Sequence, residues 1–227
     1  MSKGKKRILV VDVGGTHVKC AVSGGEMREF VSGPSLTPKR MTRQLLAITR
    51  DWRFDAVSIG YPGVVLRGKI VREPFNLGRG WVGFDFSAAL KRPVRIVNDA
   101  AMQALGCYEG GKMLFLGLGT GLGSALVVDG IVVPMELGHL HCGARKTYED
   151  LVGEQARERS GDRRWRKRVN DIVASLQLAL LPDYVVLGGG NARRLKELPA
   201  NARRGDNSYA FAGGARLWDE KPVRGTR

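Results

Sequence analysis

Three glycine-rich turns interrupt apolar runs in this chain: Gly14-Gly15-Thr16, Gly119-Thr120-Gly121 and Gly188-Gly189-Gly190. In such a turn successive backbone amides converge on an anion, and the missing Cβ lets a phosphate come close. The two threonine hydroxyls add donors. A lone turn of this kind is more often an ordinary hairpin, but three of them, the last expected to open a helix, point to a nucleotide or polyphosphate clamp. Asp12 fits two roles: placing Mg2+ beside bound phosphates, through water, or hydrogen-bonding the turn that follows it. Lys19 suits phosphate neutralisation and an outward strand position equally.

Asn98 and Asp99 end an apolar run that precedes a helical pattern. Phosphoryl transfer to a hydroxyl needs a carboxylate to accept the proton and align the oxygen. Asp99 has the type and place for that, although a lone residue there is more often a helix cap; Asn98 has the same alternative. Glu136 and His139, three apart after Pro134, face one way and offer acceptors and a donor to adjacent sugar hydroxyls. His139, His141 and Cys142 crowd together, but no second ligand pair is visible for a tetrahedral zinc, so no zinc is expected.

These groups need elements to hold them. Ile8 to Val13 and Val18 to Val22 read as strands around the first turn, with another from Met27 after Gly24-Gly25. The pattern recurs from Leu114: Leu9 matches Leu114, Gly14 matches Gly119, Val22 matches Val127 and Gly25 matches Gly130, all at one ungapped offset. Such a repeat predicts two similar lobes, each presenting a glycine-rich hairpin to a shared cleft. Between the copies, Thr37-Pro38 opens a helix, Asp55 to Gly60 is a strand, and Arg67-Gly68 folds a hairpin. Asn76 lies in an irregular segment suited to a cleft mouth, Ser87 starts a short helix, and Ala100 to Glu109 forms another. Later, a helix is expected from Thr147 to Ser160 and one capped by Asp162. A strand over Tyr184 to Leu187 follows, then a helix from Gly188 to Leu198, a loop over Pro199 to Ser208, and a last helix from Tyr209 before a frayed tail. Strands alternating with helices give an α/β class. The divisions expected are residues 1–97, residues 98–208, and a terminal helix and tail over 209–227.

With 227 residues and 43% hydrophobic content, the chain can bury a sizeable core. No run approaches the ~18 apolar residues of a membrane span, and the apolar run after the basic start is too short for a secretory leader. Cys20, Cys107 and Cys142 are odd in number and far apart, which suits a reducing compartment; a soluble cytoplasmic protein is expected. Lys and Arg number 37 against 22 Asp and Glu, a net charge of +15 that favours polyanionic partners or a solvated basic surface.

In order, DVGGTHVK from Asp12, NDA from Asn98, LGTGLGSALVVDG from Leu118, ELGH from Glu136 and LGGG from Leu187 resemble the ROK family of sugar kinases, with the polyphosphate glucokinase branch the most similar. The resemblance runs from Ile8 to about Leu217. It implies a two-lobed actin-like ATPase (ribonuclease H-like) fold with duplicated glycine-rich β-hairpin units. It also implies a hexose kinase acting on the 6-hydroxyl of glucose, with Mg2+ and ATP or inorganic polyphosphate as donor. By matching positions Asp99 is the catalytic base, and Asn98, Glu136 and His139 bind the sugar, with Asn76 and Gly63 as weaker sugar contacts. Asp12, Gly14, Gly15, Thr16 and Lys19 form the first phosphate motif, Gly119, Thr120 and Gly121 the second, and Gly188, Gly189 and Gly190 the nucleotide-side motif. A homodimer is implied, with no membrane and no specific nucleic-acid partner.

The chain departs from the family after Gly138-His139, where many members carry a zinc-binding C-x-C-G-x-x-G-C. Here only Cys142-Gly143 corresponds, the loop is shortened, and Glu149 stands at the spacing of a sugar-binding glutamate. With Asp12 so near the start, the helix-turn-helix that family repressors carry before this motif is not expected here. Other readings stay open: a kinase for another hexose or an amino sugar, a non-catalytic sugar sensor, and a polyanion binder with a vestigial cleft.

Overall fold

The computed structural model describes residues 6–22, 25–143, 145–206 and 208–219. Gly24, half of the expected Gly24-Gly25 turn, and the expected tail lie outside these. The chain divides into two compact units, the first running to Met102 and taking back Ala210–Asp219, the second holding Gln103–Tyr209.

The first unit is built on five strands: β1 (Ile8–Val13), β2 (His17–Val22), β3 (Met27–Val31), β4 (Ala56–Tyr61) and β7 (Val94–Asn98), in the order β3-β2-β1-β4-β7. β1 and β2 are antiparallel, with Val13 opposite Val18 across the Gly14–His17 turn, whereas β1, β4 and β7 run parallel. The small hairpin β5 (Val65–Leu66) and β6 (Lys69–Ile70) folds at Arg67-Gly68 as expected. Period-two alternation in β1 sends Leu9, Val11 and Val13 into a core with Met41 and Leu45 of α1 (Pro38–Ile48) and Phe86 and Leu90 of α2 (Phe86–Leu90). Thr37 caps α1 by accepting from Arg40 N, with Pro38 at its first position. Ile8 and Val10 point the other way, towards Met102 of α3 (Asp99–Cys107). Asp12 shares that second face, at its carboxyl end.

The second unit repeats this order. Its sheet runs β10-β9-β8-β11-β12, from β8 (Lys112–Leu118), β9 (Leu122–Val128), β10 (Ile131–Met135), β11 (Tyr184–Gly188) and β12 (Ala202–Arg204). Again the first three strands form an antiparallel meander, and the last two join in parallel. Leu114, Leu116, Leu118 and Leu187 meet Trp165, Val169, Ile172, Val173 and Leu176 of α6 (Asp162–Leu180). The indole of Trp165 also donates to Val152 O at 2.8 Å.

Several expectations change. The helix expected from Thr147 to Ser160 is broken at Gly153 into α4 (Tyr148–Val152) and α5 (Glu154–Ser160), because the Glu154 amide leaves the helical ladder to donate to Gly119 O and Thr120 O. The helix after Gly190 shrinks to a single 3-10 turn, Ala192–Arg194. Part of the expected loop forms edge strand β12, since Val185 to Leu187 pair with Ala202 to Arg204. Asp162 is the first helical residue rather than the cap, its carboxylate held by Arg157 at 2.9 Å. The terminal helix α7 (Tyr209–Arg216) is no separate segment: Ala210 packs with Val10 and Met102, Ser58 Oγ donates to Gly214 O, and the Trp218 indole donates to Ser58 Oγ. Residues Asn98 to Met102, expected with the second lobe, cluster with the first because β7 and the start of α3 belong to its sheet and core. No helix among the described residues is long and apolar enough to cross a membrane.

Candidate active site

In the first unit the chemistry collects at the carboxyl edge of the parallel strands. Asp12 lies opposite Gly60, Gly60 opposite Val97, and Tyr61 opposite Asn98. Asp12 and Asp99 therefore stand two strands apart at one edge, their backbones on the order of 10 Å from each other. Asp12 is half-buried, and burial pushes its carboxyl up to about 6 against the opposing pull of Lys19, its partner across the β1–β2 ladder. A carboxylate ionised at such desolvation cost gains from a nearby cation. That donor chemistry fits Mg2+ held by one carboxylate with waters and phosphate oxygens; among the described residues no group of three or more His, Cys, Asp or Glu forms a protein-only cage.

The turn after Asp12 is held by one bond of its own backbone and two from Ser32. Gly14 N donates to His17 O at 3.0 Å, Ser32 Oγ donates to Gly14 O at 2.6 Å, and Ser32 N donates to Thr16 O at 2.9 Å. Gly15 and Thr16 are exposed, and Gly15 faces the side chain of Asn76. The loop carrying exposed Asn76 is clamped by Glu73, whose carboxylate accepts from the amides of Gly80, Trp81 and Val82 at 3.0 to 3.2 Å. Sequence reasoning passed over both Ser32 and Glu73, since neither belongs to a motif and each acts through backbone reached only in the fold.

Asn98 works in both directions. Its Nδ2 donates to Gly63 O at 3.1 Å, and its Oδ1 accepts from Ala101 N at 3.2 Å. The capping alternative is thus realised by Asn98. Asp99, the first residue of α3, accepts from the amide of Ala100 at 2.8 Å through Oδ1 and is half-buried. Gly63 is brought to Asn98 by its carbonyl.

In the second unit the matching turn is one residue tighter: Leu118 pairs Leu122 around Gly119–Gly121, and Gly119 N donates to Gly121 O at 3.1 Å. Glu149 Oε2 accepts from Leu122 N at 3.0 Å and lies directly over Gly121, where any Cβ would strike its carboxylate. Glu149 therefore braces the turn, a local role that its sequence spacing did not announce. Asn191 joins from the other side, its amide donating to Leu118 O at 2.9 Å and its Nδ2 to Glu154 and to Gly119 O. Glu154 is in turn gripped by Arg157, whose hydrogen bonds hold its carboxyl down to about 2 despite the opposing effect of burial. Gly189 sits at φ +79, with Leu118 backbone where a side chain would go, so the third glycine turn packs onto the strand entering the second. Gly188 is buried and Gly190 exposed. Glu154 and Asn191 were missed by sequence reasoning; the one signal was that Asn191 directly follows the glycine triplet.

Glu136 precedes and His139 ends a 3-10 turn over Leu137–His139. Buried Ser124 fixes it from both sides, donating to Met135 O at 2.9 Å and accepting from Leu137 N at 3.0 Å. His139 Nε2 lies 3.7 Å from Glu136 Oε2, and both side chains reach solvent. His141 and Cys142 are exposed on the following strap, which is pinned by Cys142 N to Lys146 O and Tyr148 N to Leu140 O.

Known proteins share the sequence and the fold of this chain. The polyphosphate glucokinase of Mycobacterium tuberculosis (strain CDC 1551 / Oshkosh) is 26% identical over 208 residues, covering 81% of this chain and 77% of that protein. An N-acetylmannosamine kinase of Salmonella paratyphi B is 30% identical over a shorter stretch of 139 residues, covering 54% of this chain and 47% of the kinase. Among solved structures, the inorganic polyphosphate/ATP-glucomannokinase of Arthrobacter sp. strain KM superposes with a TM-score of 0.77 at 25% identity, covering 92% of this chain and 97% of the other. The fold is the two-domain actin-like ATPase fold of ROK sugar kinases. Residues 8–160 match the ROK family over well more than half of the sequence, and the chain belongs to that family.

Proposed function

We propose that this protein is a hexose kinase that transfers a phosphoryl group from ATP or inorganic polyphosphate to the 6-hydroxyl of glucose. The observation that carries the reading is the carboxyl edge of the first sheet, where Asp12 beside an open glycine turn and Asp99 beside a fixed Asn98 stand two strands apart. Asp99 accepts the sugar proton as the hydroxyl oxygen attacks the terminal phosphorus, and the bridging bond to the donor breaks as the new P–O bond forms. Asn98, Glu136 and His139 hold sugar hydroxyls, with Asn76 and Gly63 beside them; the second oxygen of Glu149 is a further acceptor for the sugar. Gly14, Gly15, Thr16, Lys19, Gly119, Thr120, Gly121 and the Gly188–Gly190 turn hold the phosphates and nucleotide. Asp12 would hold Mg2+, and when bound the ion would supply charge neutralisation on the donor phosphates.

The likeness to polyphosphate glucokinases and the charge of +15 support polyphosphate as a donor alongside ATP. The shorter likeness to an N-acetylmannosamine kinase keeps amino sugars as the rival acceptor. Assays of glucose and N-acetylmannosamine, each with ATP and with polyphosphate, separate these readings. Glucose 6-phosphate from both donors is expected; turnover with ATP alone removes the polyphosphate assignment, and preference for the amino sugar removes the glucose assignment. Sugar binding with no phosphorylated product from any pair would establish a sensor instead. A homodimer is part of the proposal, and sedimentation at one-chain mass contradicts it.

A further inference from the structure

An open depression of about 460 Å3 lies in the first unit, lined by Arg7, Arg50, Arg53, Arg92 and Asp55 with the rings of Trp52 and Phe54. Its place in the fold is the amino edge of the parallel strands. Arg7 precedes β1, Asp55 precedes β4 and Arg92 precedes β7, whereas Asp12 and Asp99 stand at the carboxyl ends. The length of β1 alone puts about 17 Å between Arg7 and Asp12. The Gly14–Thr16 turn lies at the opposite end of β1.

Four guanidinium groups and one carboxylate line the hollow, and the carboxylate is engaged: Asp55 Oδ2 accepts from Arg7 N at 2.9 Å while Asp55 N donates to Arg7 O at 2.8 Å. Arg92 is fixed rather than waving. Its Nε donates to Phe54 O at 3.2 Å, its Nη1 donates to Lys91 O at 2.8 Å, and it stacks 6.0 Å from the Phe54 ring centroid. Among the described residues no carboxylate lies within salt-bridge distance of the side chains of Arg7, Arg50, Arg53 or Arg92. The nearby Asp51 is committed to Arg28 through two hydrogen bonds, at 2.6 and 2.8 Å. Two features oppose an anion: the Asp55 carboxylate, outnumbered by the four guanidiniums, and the negative carboxyl end of α1, which Arg28 covers by donating to Ile48 O at 2.5 Å while stacking 4.5 Å from the Trp52 ring centroid.

Like charges gathered in a concavity raise the cost of the empty state, and forked guanidiniums match phosphate oxygens in pairs. We infer that this hollow is a second anion site, remote from the Gly14–Thr16 turn of the same unit, which binds a chain of condensed phosphates. Such a chain could be inorganic or the tail of a nucleoside triphosphate, and both share the chemistry the arginines recognise.

The test is calorimetric titration of the whole chain with sodium tripolyphosphate and, separately, with ATP, in Mg2+-free buffer at low salt. Arg50→Ala/Arg53→Ala is compared with wild type; both arginines are exposed, and an unchanged melting temperature verifies the fold. Wild type is expected to bind one more tripolyphosphate per chain than the double variant, or to bind it at least tenfold more tightly at one of two sites. Kinase KM for ATP should stay within twofold. Loss in the tripolyphosphate arm alone identifies inorganic condensed phosphate, and loss in both arms identifies the triphosphate group in general. Equal stoichiometry and affinity in wild type and variant for both ligands would overturn the inference and leave the arginines as a solvated face. Because the readout is binding, this result stands whether or not the chain proves to be a kinase.

Discussion

Replacing Asp12 by asparagine should stabilise the protein while removing its activity. Burial lifts the Asp12 carboxyl from an ordinary 3.8 to about 6, with Lys19 opposing. Keeping it ionised above pH 6 costs about 3 kcal/mol at full effect, and about 1–3 kcal/mol once solvent reaching a half-buried side chain is allowed for. The folded-state value lies above the unfolded one, so between about pH 4 and 6 the folded chain holds the proton that the unfolded chain has released. Wild-type stability from this group is therefore fullest below about pH 4, falls through that window and stays low above it. Asparagine cannot ionise and escapes the fall. Thermal melts of wild type and Asp12→Asn in Mg2+-free buffer should coincide near pH 4 and differ at pH 7.5 by roughly 2–12 °C in favour of the variant. Other titrating groups are common to both chains and cancel. Adding Mg2+ with a nucleotide should stabilise wild type more and narrow the gap. A variant no more stable than wild type at pH 7.5, or a gap of the same size at pH 4, would refute the desolvated-carboxylate argument.

Gly121→Ala drives a methyl group into the Glu149 carboxylate that holds Leu122 N, and should cost about 1–3 kcal/mol in denaturant midpoint together with a raised KM for the phosphoryl donor. Glu154→Gln weakens the grip of Arg157 and should destabilise by about 1–3 kcal/mol. Because the Glu154 carboxyl is held down to about 2, the wild-type advantage over that variant should be flat from pH 5 to 9 and shrink only as pH falls below about 4.5; a loss centred near neutrality would contradict the network. Trp165→Ala empties the centre of the second core and breaks the bond to Val152 O, an expected loss of about 3–5 kcal/mol by chemical denaturation, with Trp165→Phe milder.

Much of the architecture was legible because its signals are local. Strand alternation, the Thr37-Pro38 helix start and the fixed offset between Gly14 and Gly119 all survive as elements, and the offset appears as the same five-strand order in both units. What escaped was decided at long range. Gly153 breaks a helical pattern because the Glu154 amide serves the Gly119 turn, and β12 exists because β11 offers it an edge. The ungapped repeat also hid a difference in register, since the second hairpin closes one residue sooner than the first. The places of Asp12, Asn98 and Asp99 at strand ends were readable from the apolar runs before them. Glu73, Glu154 and Asn191 were not, since each acts by holding backbone that only folding brings near.

The central claim is that Asp99 accepts the sugar proton, and the most direct measurement is glucose 6-phosphate formation by Asp99→Asn beside glucose binding by the same protein. Turnover should fall by roughly 10²–10⁴-fold while the glucose dissociation constant stays within a few fold of wild type. Turnover near the wild-type level in a variant that still binds glucose would contradict the account.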